Sequence, residues 1–435
     1  MDFSKSDVLR GKSHRLIPGG AHTYAKGDDQ FPERSPGFID HGHGCHVWDV
    51  DGNEFIEYGM GLRSVTLGHG FPPVVAAATR AMQMGLNFTR PQKIEVDCAE
   101  RLLGLLPGAD MVKFGKNGSD ATSAAVKLAR AFTGRDMVAV CKDQPFFSVD
   151  DWFIGSTPMA AGIPQLIRNL TLKFSYSDPG SLEELFSANP GQIACIIMEA
   201  EAYAPTTHDH LQSIINICHR HGAVFILDEI LTGFRCHLGG AQAMYGITPD
   251  LSAFGKALGN GFSISALAGK REIMKLGGLQ ESREKVFLMS TTYGAESIGL
   301  AAAIETIGIY EEKDVVGFLW LQGKKLRKAI NEKIDENHLT GYFEVIGQPY
   351  NMIYATRDSE KKPSQRFRTL FLQETIKRGL LMPSLVISFS HSDEDIERTV
   401  DAIGGALSVY ARALNEGVDK YLEGRPVVPV FRKYD

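Results

Sequence analysis

The chain has 435 residues, 43% of them apolar and 23% charged, which is enough to bury a large core in two unequal domains. A net charge of −6 gives no basic face for nucleic acid or for an anionic membrane. No uncharged stretch reaches the ~20 apolar residues that cross a bilayer, and the opening M-D-F-S-K-S-D lacks the apolar centre of a secretion signal, so a cytoplasmic protein is expected. The cysteines at 45, 98, 141, 195, 218 and 236 are scattered without a C-x-x-C pair. Buried free thiols are expected, and no metal site.

In chain order, a short helix ends at Pro18-Gly19-Gly20, and a polar, Gly- and Pro-rich arm follows over 21–37. Asp51-Gly52 stands between two alternating segments that carry Val47, Phe55 and Tyr58, a hairpin signal. L-G-H-G-F-P-P leads into a helix over 74–84. From about 95 to 270, strands at 111–114, 137–141, 193–198, 224–227 and 264–269 alternate with helical patterns, among them 121–132 and 211–221. This alternation predicts an α/β fold, a mainly parallel sheet covered by helices. Beyond about 295 the spacing predicts a long helix over 298–310 continuing through 316–332, a meander at 343–354, helices over 365–378 and 394–415, and an extended tail. No internal repeat or linker interrupts the chain. The expected layout is an arm and part of a small domain over 1–60, a large domain over 61–296, and the rest of a smaller α+β domain over 297–435.

The run V-F-I-L-D-E-I-L-T-G-F-R begins with an apolar stretch suited to a strand buried on both faces, and it ends in Asp228 and Glu229. In open parallel sheets ligands sit at the carboxyl ends of strands, where Asp228 falls. Lys256 lies in a short apolar segment bracketed by Gly255, Gly259 and Gly261. An acid and a lysine converging on one pocket suit pyridoxal phosphate, whose amine-linked aldehyde and protonated ring need those two groups. Taken singly, each also fits a plain strand-end acid or a surface lysine. Asn117-Gly118-Ser119 follows a strand and opens a helix whose apolar positions 121, 124, 125, 128, 129 and 132 share one face. Such an end binds anions through free N–H groups and the helix dipole, and Gly118 permits close approach. A cap without a ligand is the other reading of the same residues.

Together these segments resemble the fold-type I, class III aminotransferases, and within them the branch similar to glutamate-1-semialdehyde 2,1-aminomutase. The resemblance runs through I-P-G-G (17–20), D-V-D-G-N-E-F-I-E-Y (49–58), L-G-H (67–69), N-G-S-D-A-T (117–122), L-D-E-I-L-T-G-F-R (227–235), P-D-L-S-A-F-G-K (249–256) and S-H-S-D-E-D-I (390–396). It implies that Lys256 is the Schiff-base lysine and proton carrier, and that Asp228 pairs with the pyridine nitrogen. It further implies that Ile230 packs on one face of the ring, Gly118 and Ser119 bind the phosphate, and Phe146 takes the place of the family's stacking tyrosine. Thr291, with Thr292 a close rival, matches the threonine that reaches the phosphate of the neighbouring subunit, which implies a homodimer with shared sites. Arg235 is expected in a structural ion pair.

The departures from the aminomutase bear on the substrate. Lys26 replaces its carboxylate-binding arginine, which keeps the charge and loses the bidentate fork. G-L-R-S (61–64) replaces S-W-G-P and brings in Arg63. F-F-S (146–148) replaces Y-H-G, and P-S-L-V-I-S-F-S (383–390) lacks the expected glutamate. The 18–32 loop offers His22, Tyr24, Lys26, Asp28 and Gln30, a set suited to a polyhydroxylated or phosphorylated substrate, with hydrogen bonding inside the loop as the alternative for His22 and Asp28. The expected activity is ping-pong transfer of an amino group from an amino-acid donor, glutamate first, to a keto-sugar or sugar-like carbonyl acceptor, as in amino-sugar synthesis. Arg63 or Lys26 is expected to hold the donor carboxylate. The alternatives are the aminomutase itself, a related isomerase or racemase, and, more remotely, a non-catalytic binding protein of the same fold.

Overall fold

A computed structural model describes residues 1–144, 146–201, 204–280 and 284–432. The chain forms two compact units, one from Met1–Phe71 with Gly317–Arg432, the other from Pro72–Val316.

The larger unit is built on a seven-stranded sheet of Met111–Gly115, Met137–Cys141, Thr171–Phe174, Ile193–Met198, Val224–Asp228, Leu251–Phe254 and Ser265–Gly269. Named by first residue, the strands lie in the order Met111, Ser265, Leu251, Val224, Ile193, Met137, Thr171. Ser265–Gly269 is antiparallel to both neighbours and the other pairings are parallel, as expected of a mainly parallel sheet. Every residue of Ile193–Met198 and Val224–Asp228 is buried, the burial that helices on both faces impose. The helix Gly118–Thr133 packs against several of these strands, burying Ala121, Ala124, Ala125, Leu128 and Ala129 as the spacing predicts.

Two strands of this sheet went unread in the sequence. Thr171–Phe174 is four residues long with its lysine exposed, and Leu251–Phe254 is diluted by Ser252 and Ala253. One expectation is corrected. The helix Ser297–Glu312 does not continue through residue 332; it ends at Lys313, whose backbone is extended (φ −124°, ψ 133°), and a separate helix spans Val315–Glu336. Asp314, a residue type favoured at helix starts, stands at the break.

The smaller unit draws on both chain ends. Ile39–His43, His46–Asp49 and Glu54–Glu57 form an antiparallel meander, and Leu380–Leu381 adds parallel to its last strand, with Leu380 opposite Ile56. Asp49 Oδ1 accepts the N–H groups of Asp51 (3.0 Å) and Asn53 (2.8 Å) and so closes the predicted hairpin. Val47, Phe55, Ile376 and Leu381 form one core cluster, with Phe3 and Phe31 packed on it. Phe343–Gln348 and Asn351–Thr356 make a second hairpin. All six cysteines are free and buried. Among the described residues no helix is long and apolar enough to cross a membrane.

The two acids of D-E part company at the strand end. Asp228 is the last strand residue. The carboxylate of Glu229 is fully buried and accepts hydrogen bonds from Ala241 N (2.9 Å), Gln242 N (2.8 Å) and the Thr232 hydroxyl. Gly240 has φ +75°, and a side chain there would meet the Glu229 carboxylate. Glu229→Ala leaves these buried donors unpaired, so a loss of about 3 kcal/mol is expected, seen as an earlier urea midpoint. An unchanged midpoint would contradict this structural role.

Candidate active site

Three charged groups meet at the carboxyl end of the sheet because their strands are neighbours. Asp228 ends the fourth strand across, and Ala253 of the adjacent parallel strand is its register partner. Lys256 follows that neighbour by two residues. On the other side Met198 pairs with Leu227, which puts Glu199 level with Asp228. Asp228 is 3% exposed and accepts a hydrogen bond from Ile230 N at 2.9 Å. Burial and the negative charge of Glu199 push its carboxyl up to about 8, against the pull of the Ile230 N–H and Lys256. Lys256 has φ +44° at the start of the turn Lys256–Gly259, and Asn260 closes that turn with φ +43°. Positive φ in residues with a Cβ is uncommon and clusters at functional sites.

The helix Gly118–Thr133 begins beside this group. Asp120 Oδ2 accepts the N–H groups of Lys116 and Asn117, each at 2.8 Å, which fixes the entering chain. The N–H groups of Gly118 and Ser119 lie in the first turn, where a helix has no acceptor of its own. Ile230 packs between the two glycine-bearing segments. A Cβ on Gly118 would lie 3.0 Å from Ile230 Cδ1, and a Cβ on Gly255 would lie 3.2 Å from it. The two glycines therefore let Ile230 pack closely against both segments.

The same helix pins the segment that carries Phe146. Ser119 Oγ accepts Val149 N at 3.1 Å, Thr122 Oγ1 donates to the Phe147 carbonyl at 2.8 Å, and Trp152 Nε1 donates to Ser123 Oγ at 2.9 Å. Phe147 is buried in this packing while Phe146, edge-on to Phe153, keeps 42% of its surface open. Gln144 ties the segment to the strand end beside Asp228. Its Nε2 donates to the carbonyls of Glu199 (2.8 Å) and Glu201 (3.2 Å), and its Oε1 accepts Glu199 N (2.9 Å).

Thr291 and Thr292 are both exposed in the larger unit. His22, Tyr24, Lys26 and Arg63 belong to the smaller unit. Of these, His22, Tyr24 and Lys26 are solvent-facing, the last two in a single turn Tyr24–Lys26. Asp28 is engaged outside the loop, binding His14 of the first helix at 3.2 Å and accepting Arg425 Nη2 at its carbonyl at 2.7 Å, while Gln30 donates within the loop to Asp29 at 3.0 Å. Arg63 Nε donates to Asn351 Oδ1 at 2.8 Å. Arg235 is fully buried and donates through Nη1 to the Leu231 carbonyl at 2.6 Å. Sequence reasoning passed over Glu199 and Gln144. Glu199 carried the same signal as Asp228, an acid closing an apolar run (I-I-M-E); Gln144 carried none.

The family model of the class-III aminotransferases matches residues 28–403 of this chain. The chain belongs to the class III aminotransferases. Its relatives include the 3-aminobutyryl-CoA aminotransferase of Cloacimonas acidaminovorans, 31% identical over 95% of this chain and 99% of that one. A glutamate-1-semialdehyde 2,1-aminomutase of Desulforamulus reducens is 30% identical over 94% and 99%. The solved FumI protein of Sphingopyxis sp. MTA144, in a pyridoxal-phosphate form, superposes with a TM-score of 0.85 at 27% identity, covering 95% of this chain and 98% of that one. The fold is that of the fold-type I transaminases, and the protein is a pyridoxal-phosphate-dependent aminotransferase.

The chain's own residues fit that cofactor. A buried carboxyl whose ionised form is costly alone suits a cationic ring nitrogen, and Ile230, packed close against Gly118 and Gly255, sets an apolar side chain next to a helix N-terminus suited to a phosphate. A pH dependence follows for the cofactor-free aminotransferase. Asp228 is bound to its proton more tightly in the fold than in the unfolded chain, so its contribution to stability is complete below the ordinary carboxylate range and is lost as pH rises through about 8. Thermal melts of the apo-protein between pH 5 and pH 9 are expected to show that loss, Asp228→Asn to flatten it, and Glu199→Gln to move it to lower pH. Melts of Asp228→Asn that keep the full slope would contradict the assignment.

Proposed function

We propose that this aminotransferase moves an amino group from glutamate to a keto-sugar or a similar polyhydroxylated carbonyl compound, in two half-reactions that share one site. The observation that carries this reading is the contrast between the two parts of the chain. The acid, lysine and helix-end cradle of the family are all retained, while the residues that set the aminomutase's substrate are replaced. When bound, pyridoxal phosphate supplies the carbonyl that takes up the amine and the ring that withdraws electrons from the reacting carbon.

The residues then divide the work. Lys256 Nζ would hold the cofactor at rest and, when free, would move the proton of the donor carbon. Asp228 keeps the ring nitrogen protonated, and Glu199 beside it makes Asp228 the stronger acceptor of that N–H. Gly118 and Ser119 hold the phosphate with backbone N–H groups and the Ser119 hydroxyl. Ile230 and Phe146 would supply the apolar contacts to the ring. Arg63 or Lys26 holds the donor carboxylate, and His22 and Tyr24 meet acceptor hydroxyls. Thr291 or Thr292 serves the partner subunit's phosphate in a cytoplasmic homodimer.

A second reading draws on the relative named for 3-aminobutyryl-CoA: the acceptor would be a 3-oxoacyl thioester. A half-reaction screen separates the two. The enzyme is converted to its amine form with glutamate, freed of donor, and offered keto-sugars, simple keto acids, glutamate-1-semialdehyde and a 3-oxoacyl thioester. Return of the pyridoxal spectrum with keto-sugars is the expected result. Return with the thioester alone establishes the second reading, and return only with glutamate-1-semialdehyde or simple keto acids contradicts both.

A further inference from the structure

Cys45, His46 and Asp395 bring together a thiol, an imidazole and a carboxylate, with one ligand atom of each within 4.8 Å of the others. It is the one such mixed group among the described residues, and all three residues belong to the smaller unit. None of them is assigned a part in amino transfer. Adjacent residues of a strand point to opposite faces. Cys45 escapes that rule because it lies in the turn before the strand His46–Asp49, after Gly44 at φ +60°. Asp395 lies 349 residues beyond His46, in the first turn of the helix Asp393–Glu416. The expectation of no metal site rested on cysteine spacing, which does not show a ligand so far along the chain. Cys45 Sγ donates to Asp395 Oδ2 at 3.4 Å and to the Ser390 carbonyl at 3.5 Å, and His46 Nε2 lies 2.9 Å from Asp395 Oδ1.

Two of the three groups are oriented by further partners. His46 Nδ1 lies 2.7 Å from Glu54 Oε1, which fixes the ring. Asp395 Oδ2 accepts the Ser392 hydroxyl at 2.7 Å and Ser392 N at 3.0 Å in the capping box that starts the helix, and Oδ1 is left facing His46. Ionised carboxylates only accept, so the hydrogens between Asp395 and its two neighbours sit on sulfur and nitrogen. A metal ion bound by the same three groups takes the place of those hydrogens.

We propose that Cys45, His46 and Asp395 form a zinc-class metal site that fastens the two chain ends of the smaller unit together, with Glu54 as the positioning residue of His46. The donor set selects the metal: thiolate and imidazole suit zinc and cobalt, whereas magnesium and calcium take oxygen. Tetrahedral zinc, with Zn–S of ~2.3 Å and Zn–N and Zn–O of ~2.0 Å, holds its ligand atoms about 3.3–3.5 Å apart. The observed 3.4 Å and 2.9 Å lie within a few tenths of an ångström of that. A carboxylate behind the histidine, as Glu54 is here, is the usual outer partner of such a ligand. Cys45 and Asp395 are buried, while His46 keeps 23% of its side chain open, the side from which an ion and a water as fourth ligand enter.

The test uses the cofactor-loaded enzyme, stripped of metal with a chelator and then given Zn2+, Co2+ or Mg2+. Zn2+ is expected to bind as a single ion per chain and to raise the melting temperature, and Mg2+ to do neither. Co2+ is expected to give the intense red-region bands of a tetrahedral site, clear of the cofactor's own absorption. Cys45→Ser and His46→Gln are expected to abolish those bands and to raise the Zn2+ Kd by about 100-fold or more. Glu54→Gln, at a side chain that is 45% exposed, is expected to raise it about tenfold and to melt like wild type without metal. Melts of the metal-free variants check that each is folded, and if Cys45→Ser is not, His46→Gln and Glu54→Gln carry the test. A wild-type enzyme whose melting Zn2+ does not raise would overturn the site, as would an unchanged Zn2+ Kd in His46→Gln. An unchanged Kd in Glu54→Gln would overturn the positioning role of Glu54.

Discussion

A carboxyl group buried at the end of the central strand is the constraint that the rest of the site answers. Asp228 is almost wholly out of water and has a second carboxylate, Glu199, level with it on the neighbouring strand. Both facts make its ionised form expensive, and the charge of Lys256 only partly offsets them. A protein built for stability alone would gain by replacing such an acid with an apolar residue. A protonated ring nitrogen facing it would offset that desolvation and would keep the ring electron-poor.

The sheet order makes the arrangement possible. Asp228 and Lys256 are separated by an excursion through the helix Gly240–Tyr245 but emerge on adjacent parallel strands, and Glu199 emerges on the strand at the other side. Glu229 fastens that excursion by accepting the N–H groups at the helix start, so the second acid of the D-E pair serves the architecture. The helix Gly118–Thr133 does likewise. Its first turn offers N–H groups, and its next residues, Ser119, Thr122 and Ser123, hold the segment that presents Phe146.

Much of this was legible in the sequence, and the parts that were not have physical reasons. Strands buried on both faces announce themselves as apolar runs, which is why 137–141, 193–198 and 224–227 were found with near-correct limits. Leu251–Phe254 was missed because serine and alanine fill its positions, although it carries Lys256 to its place. The break at Lys313 was missed because the helical spacing resumes within two residues. Asp228 and Lys256 were expected together from motifs, and the sheet brings their strand ends side by side. Gln144 could not be expected, since its work is done by an amide on backbone groups 55 and 57 residues away.

The central claim is that Lys256 and no other lysine carries the cofactor. Borohydride reduction of the loaded enzyme, followed by digestion and peptide mass mapping, tests it most directly, because reduction makes the lysine–cofactor link permanent. The account predicts a single phosphopyridoxyl group on the peptide containing Lys256, absent in Lys256→Ala. The same group found on another lysine, such as Lys270 or Lys116, with Lys256 unmodified would contradict it.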